Sequence, residues 1–285
     1  LFSGRGSILN VVKYGLITGI LLSSSCFSQI KLPIVPDLST SPLQQATRAW
    51  PTVEMLSAPD GLRPCCAFGY NLKAQALGIP VPLYQLNNVV EADGLGEHHY
   101  NDSLLGAVAN LMGISSEQDG LLYTAHGGFI DIAHVRDTAD MTLFLFSQIW
   151  PRLGQEQTIV LSEELAQRHI QLFAFTPPQN EAERFTLAAY LSSYLAFQVA
   201  AWHEIAQWYG FESVPGFSEG ISAFSPEDLY SNLLGARLAA SLILQGHSSS
   251  VEQFNLSMQA ILPAALHQLG AVSAKDTRFQ FDMLD

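Results

Sequence analysis

The stretch from residue 181 to residue 210 reads EAERFTLAAYLSSYLAFQVAAWHEIAQWYG. It is rich in alanine and other helix-forming residues, contains no proline, and ends at Gly210, a residue type that commonly follows a helix. We therefore predict a helix over residues 181–209. A helix this long and this apolar must be covered by other elements, which favours a mainly α fold.

Similar patterns on either side of this helix predict further helices. One is expected over 129–150, after the Gly127-Gly128 break and before Pro151. Another is expected over 225–244, with Ser225 as its N-cap and Asp228 in a capping box, and further ones over 251–269 and 102–112. Apolar runs at 158–161 and 170–175 predict a small β hairpin around a helical turn capped by Ser162, and 81–86 a short extended piece. The expected fold is mainly α with a small β hairpin, in a single helical domain over 61–285.

The first 60 residues have the composition of a leader and a tether. Basic Arg5 and Lys13, an apolar run over 14–22 and small residues before Cys26 predict a signal peptide over 1–26. Cleavage before Cys26 would leave a lipid-anchored protein, whereas ordinary cleavage nearby would leave a soluble periplasmic one. Residues 27–60 are rich in Ser, Pro and Thr and predict either a tether or an irregular N-terminal segment. We expect an exported protein, either periplasmic or lipid-anchored to the membrane facing the periplasm.

Composition restricts the partners and the chemistry. Hydrophobic residues make up 48% of the chain and charged residues 14%, and the formal net charge is −13. An acidic surface repels phosphate backbones, so we expect no nucleic-acid partner, and membrane contact only through a lipid on Cys26. The neighbours Cys65 and Cys66 fit a disulfide, a soft-metal site or two buried thiols. No phosphate-binding Gly-Lys-Ser/Thr loop, dinucleotide fingerprint or Gly-x-Ser-x-Gly elbow is present, which disfavours nucleotide enzymes and α/β-hydrolases.

The strongest chemical motif lies in the predicted 129–150 helix. At 100° per residue, Asp131, His134 and Asp137 share an arc with the core-type residues Ile130, Met141 and Leu145. Buried carboxylates need a partner, which could be a metal ion, a histidine or Arg136. The alternative is an internal salt-bridge network with no function beyond stability.

Two other motifs carry histidine and carboxylate. His203 lies on a small-residue face of the 181–209 helix next to Glu204, but Gln207 stands where a zincin protease has its second histidine, so that class is excluded. His203 could be a ligand, a general base or a satisfied core histidine. The loop around His99 also suits a metal, although loop histidines are common. The polarity of 224–232 is mostly explained by helix capping.

Four blocks together resemble a known family: RPCCAFG at 63–69, GGFIDIAHVRDTAD at 127–140, WHEIAQWYG at 202–210 and SPEDLYSNLLG at 225–235. They are similar to bacterial envelope proteins grouped as domain of unknown function 4056. The resemblance implies export and assigns no activity.

Two functional hypotheses follow from these residues. In the first, the protein is a metal-dependent hydrolase of the cell envelope acting on an unidentified envelope substrate. Asp131, His134 and His203, joined by His99, would hold a divalent metal such as zinc. Glu204 or Asp137 would be the general base, and Arg136 would hold an anionic group of the substrate.

The hydrolase hypothesis also predicts that the helices over 129–150 and 181–209 pack together, with His134 facing His203. In the second hypothesis, the protein is a non-enzymatic periplasmic or outer-membrane lipoprotein whose polar core is structural.

Overall fold

The computed structural model describes a discontinuous part of the chain: residues 54–59, 62–63, 73–76, 79–82, 89–102, 116–212, 220 and 223–284. The predictions for the leader, for most of the 102–112 helix, and for Cys65 and Cys66 lie outside these residues.

Within the described residues the fold is mainly α with small β hairpins, as the sequence predicts. The helices are α1 (Ile132–Ile149), α2 (Glu181–Trp208), α3 (Pro226–Leu244), α4 (Val251–Gln268) and α5 (Ala274–Asp282). The strands are β1 (Lys73–Ala76), β2 (Ile79–Pro82), β3 (Leu121–Thr124), β4 (Gly128–Asp131), β5 (Gln157–Val160) and β6 (His169–Leu172). Each odd-numbered strand pairs antiparallel with the next strand along the chain.

The start of α1 differs from the prediction. Residues 129–131 are not helical, because Gly128–Asp131 forms β4, which pairs with β3 in the register Thr124↔Gly128 and Leu121↔Asp131. Gly128 has a φ of 73°, which a side chain would make strained, so this glycine turns the chain into the strand. Asp131 ends the strand and caps α1, since its Oδ1 accepts hydrogen bonds from the backbone N–H groups of Ala133 and His134 at 2.8 and 3.4 Å.

The other helices agree closely with the predictions. The α2 helix begins after Asn180, which caps it, and ends before Gly210, where φ is 94°. Strands β5 and β6 form the predicted hairpin, but residues 162–168 between them form no helical turn. The short α5 was not predicted, because its first turns are mostly charged and polar and its two phenylalanines come late.

Helix α1 lies at the centre of the described fold and is buried on nearly every side. It packs against both α2 and α3. Helix α3 approaches so closely that a Cβ on Gly235 would fall 2.0 Å from the carbonyl oxygen of Val135, so only glycine fits there. Among the described helices, none combines the length and the apolarity needed to cross a membrane.

Candidate metal site

Three buried side chains meet where α1 and α3 begin. Asp131, His134 and Asp228 each offer one ligand-type atom, and these atoms all lie within 4.8 Å of one another. The His134 Nε2 atom is 3.1 Å from Asp228 Oδ1. Asp131 and Asp228 are fully buried and His134 nearly so. Two carboxylates and an imidazole at this spacing form a ligand set for a divalent cation.

The contact between α1 and α3 places these residues together. The backbone N–H of Asp131 donates to Ser231 Oγ at 2.9 Å, which ties the strand end to α3. Seven residues further along, Thr138 Oγ1 donates at 2.6 Å to Oδ1 of Asn232, the residue that follows Ser231. With the close approach at Gly235, these bonds align the first turns of both helices. Helix N-termini carry partial positive charge, which favours the carboxylates gathered there.

Two further carboxyl groups surround the cluster. Burial and, to a lesser extent, the neighbouring Asp228 raise the pKa of Glu227 to about 7. Burial also raises the pKa of Glu204, against the opposing effect of His134. The only hydrogen bond found for the Glu204 carboxylate comes from the backbone N–H of Phe224, which donates to Oε2 at 2.9 Å. Phe224 itself has a φ of 63°, an uncommon conformation for a non-glycine residue.

Several oxygen atoms of this group lack hydrogen bonds although they are buried. Within the part of the chain that the structure describes, no hydrogen-bond partner is present for either carboxylate oxygen of Asp228, for Oε1 of Glu204 or for Oε1 of Glu227. An uncompensated buried polar group costs about 1–3 kcal/mol, and a charged one costs more. Four acidic residues and one histidine therefore form a buried group with a deficit of positive charge, which a metal ion would supply.

The role expected for Asp228 from the sequence was wrong. Ser225 makes no side-chain capping bond to α3, although its carbonyl accepts the backbone N–H of Asp228 at 3.1 Å. The carboxylate of Asp228 is therefore not explained by helix capping. The sequence offered no local signal for this role, because adjacent acids such as Glu227 and Asp228 are also common in the first turn of a helix.

His203 does not belong to the group of three ligand-type residues. Helices α1 and α2 pack together as predicted. The His203 ring, however, lies edge-on to Phe211, with Nδ1 3.2 Å from Glu164 Oε1. Its neighbour Glu204 is the residue of this motif that interacts with His134.

A second buried cluster surrounds Arg63 and involves the other face of α1. The Arg63 guanidinium bonds Glu117 at 2.7 Å, Asp137 at 2.7 Å and Asp140 at 3.0 Å. Asp140 also lies 3.0 Å from His98 Nε2. Burial opposes ionisation of Asp140, but His98 and Arg63 outweigh it and hold its pKa below the usual value. In contrast to the first cluster, the carboxylates here are paired with cations.

The remaining predicted site residues take part in other contacts. Arg136 bonds Asp119 at 2.9 Å and donates to the carbonyl of Leu95 at 2.7 Å. Asp137 accepts from Arg63 through both the backbone N–H and the guanidinium, while burial raises its pKa to about 7. His99 is half-buried, and its Nε2 lies 2.9 Å from Ser116 Oγ. The structure thus brings Asp131, His134 and Glu204 together and places Arg136, Asp137 and His99 in contacts of their own.

The four sequence blocks that carry the resemblance all lie within the part of the chain that matches a known family. Residues 53–285 match the family described as "Protein of unknown function (DUF4056)". The chain belongs to this family. No curated protein and no solved structure matches the chain. The family description assigns no activity, so the function has to be argued from the site.

Proposed function

We propose that Asp131, His134 and Asp228 bind a divalent metal ion such as zinc and that the protein is a metal-dependent hydrolase. The observation that carries the proposal is Asp228, which is fully buried and whose carboxylate oxygens accept no hydrogen bond from the described residues, although His134 Nε2 lies 3.1 Å from Oδ1. Such a carboxylate is costly unless a cation accompanies it. The neighbouring imidazole and the Asp131 carboxylate complete a ligand set that zinc accepts.

The metal ion, Glu204 and Asp131 have different roles in the proposed hydrolysis. A divalent metal supplies a Lewis acid that lowers the pKa of water and polarises a carbonyl group. Glu204 is the general base in this proposal, because its buried carboxyl has a raised pKa and one oxygen without a hydrogen bond. Asp131 orients His134, since it caps the helix turn that carries this histidine.

The charge of the site favours an uncharged substrate. Asp131, Glu204, Glu227 and Asp228 outweigh one divalent cation, so a phosphate group would be repelled. The cation expected to hold an anionic substrate group, Arg136, is already bonded to Asp119 and to the Leu95 carbonyl. We therefore propose hydrolysis of an amide or ester bond.

Elemental analysis of the purified chain tests the metal site. We expect about one divalent metal ion per chain, lost on chelation, and loss of that ion in Asp228→Asn. Asp93→Asn is the matched control, because Asp93 is 82% exposed at its side chain and bonds only His267 among the contacts found for it. A metal content indifferent to Asp228→Asn, or absent from the parent, would contradict the proposal.

Measurements of hydrolysis distinguish the role of Glu204 as general base from the role of the metal ligands. Glu204→Gln should keep the metal and reduce the hydrolysis of p-nitrophenyl esters and anilides by about 10²–10⁴-fold, the usual contribution of a general base. If Glu204→Gln left the rate of hydrolysis unaltered, Glu204 would not be the general base, but the proposed metal site would still stand.

A further inference from the structure

The outward face of α2 is apolar over most of its length. Between Phe185 and Trp208 the helix contains only two charged or titratable groups besides tyrosines, His203 and Glu204, and both are buried. Yet Tyr194 is 61% and Trp208 64% exposed. Contiguous apolar surface of this kind marks an interaction site rather than ordinary solvent-exposed helix.

Apolar residues lie at matching positions on either side of Gln198, of which Tyr194, Trp202 and Ile205 are exposed and Leu191 is partly buried. At 100° per residue, Tyr194 and Trp202 lie about 40° to either side of Gln198, and Leu191 and Ile205 about 20° to either side. The angles within each pair are equal because its two members are equally far from Gln198 along the chain. A two-fold axis through Gln198 would therefore place like surface on like surface in antiparallel helices.

We propose that this face binds a second copy of the chain, with the two α2 helices antiparallel and crossing at Gln198. In this arrangement Tyr194 packs against the partner's Trp202, and Leu191 against the partner's Ile205. The Gln198 amide has both donor and acceptor groups, so it can pair with its own copy across the axis. A groove of about 300 Å³ lined by Leu195, Gln198, Val199 and Trp202 receives the opposing aromatic side chain.

The exposed aromatic residues supply about half of the area that a standard interface buries on each partner. The exposed parts of Tyr190, Tyr194, Trp202 and Trp208 provide roughly 400 Å² per copy, taking about 200 Å² for a whole aromatic side chain. Ile205 and Gln198, together with Phe173 and Phe175 just beyond β6, which borders the groove, extend the surface toward the ~800 Å² per partner of a standard interface.

The charges on α2 favour a second copy of the chain, and not a lipid bilayer, as the partner of this face. Helices that lie on membranes carry Lys and Arg that meet anionic headgroups. Helix α2 has a single such residue, Arg184, and the chain carries a net charge of −13. The α2 side of the face carries no exposed charge, and Arg168, which lines the groove beside it, is paired with Glu164 at 2.7 Å, so two copies can meet there without a net repulsion inside the contact.

Light scattering coupled to size exclusion tests the proposal on the full chain. We expect twice the protomer mass at micromolar concentration, and the protomer mass for Tyr194→Glu, whose dissociation constant should rise about 100-fold because two carboxylates lose solvent per dimer. Leu256→Glu is the matched control: Leu256 is also 61% exposed, but lies on α4, and its substitution should leave the dimer intact. Unchanged circular dichroism and a cooperative melting transition would show that Tyr194→Glu folds, while its melting temperature should fall because the dimer no longer stabilises the chain.

A charge pair then tests the register. Because residue 194 faces the partner's residue 202, the double variant Tyr194→Glu with Trp202→Lys should regain the dimer mass. A double variant that stays monomeric would overturn the antiparallel pairing. A monomeric parent, a dimer that survives Tyr194→Glu, or a parent that sediments with vesicles of anionic and zwitterionic lipid as a monomer would overturn the proposal.

Discussion

Removing one carboxylate from each buried cluster should change stability in opposite directions. The perturbations are Asp228→Asn at the candidate metal site and Asp140→Asn in the Arg63 cluster. Both aspartates are fully buried, and both substitutions keep the side-chain shape. They differ in their partners: Asp140 is bonded to Arg63, His98 and the backbone N–H of Asn101, whereas neither oxygen of Asp228 has a hydrogen bond.

The expected magnitudes follow from these contacts. The pKa of Glu227 is about 7, against an ordinary 4.5. Ionising this group therefore costs about 3 kcal/mol more in the folded chain than in water. Burial contributes the larger part of this cost and the charge of Asp228 a smaller part. Asp228→Asn removes that repulsion and the uncompensated charge, but loses about 0.3–1 kcal/mol of attraction to the helix N-terminus. We expect metal-free Asp228→Asn to gain about 1–2 kcal/mol in free energy of unfolding. Asp140→Asn should lose about 3–5 kcal/mol, because it breaks a buried ion pair.

Urea denaturation in the presence of a chelator measures both changes. The parent, Asp228→Asn and Asp140→Asn are compared at neutral pH, where the midpoint and the slope report on stability and on the surface exposed. If Asp228→Asn proved as destabilising as Asp140→Asn, the reasoning would fail, since the first cluster would then be a structural network like the second.

Three further outcomes are expected, two from the structure and the last from the sequence of the first 26 residues. Gly235→Ala should destabilise the fold by several kcal/mol, because its Cβ would lie 2.0 Å from the Val135 carbonyl oxygen, and a melting curve checks it. The depressed pKa of Asp140 means that its stabilisation is complete well above an ordinary pKa of 3.8 and is lost as pH falls through the lower folded value; the urea midpoint should fall less steeply between pH 5 and pH 3 in Asp140→Asn than in the parent, and equal slopes would speak against it. Mass spectrometry of protein from the envelope fraction should show that the leader has been removed, and Cys26→Ser should move a lipid-anchored protein to the soluble periplasm; retention of residues 1–22 would contradict the leader prediction.

Local sequence signals predicted the helices well. The α2 boundaries follow from its Ala-rich composition, the cap before it and the glycine after it, all of which act within a few residues. The start of α1 could not be placed from such signals. Gly128–Asp131 becomes a strand because it pairs with β3, and the apolar residues Phe129 and Ile130 suit either a strand or a helix.

The candidate site was only partly visible in the sequence. Asp131 and His134 are three residues apart, so the predicted helical arc placed them together, although Asp131 caps α1 and is not part of it. Asp228 comes from a helix about a hundred residues away, and nothing local distinguishes its carboxylate from a capping residue. Arg63 shows the same limit, since it bonds Asp137 across 74 residues and engages the acidic partner that the sequence suggested for catalysis.

The measurement that tests the central proposal most directly is anomalous diffraction at the zinc edge, from crystals of the chain grown with zinc. The account predicts one strong peak within about 2.0–2.2 Å of a nitrogen of His134 and of carboxylate oxygens of Asp131 and Asp228, the coordination distances of zinc. A map without that peak, or with zinc bound only by other residues, would contradict the account.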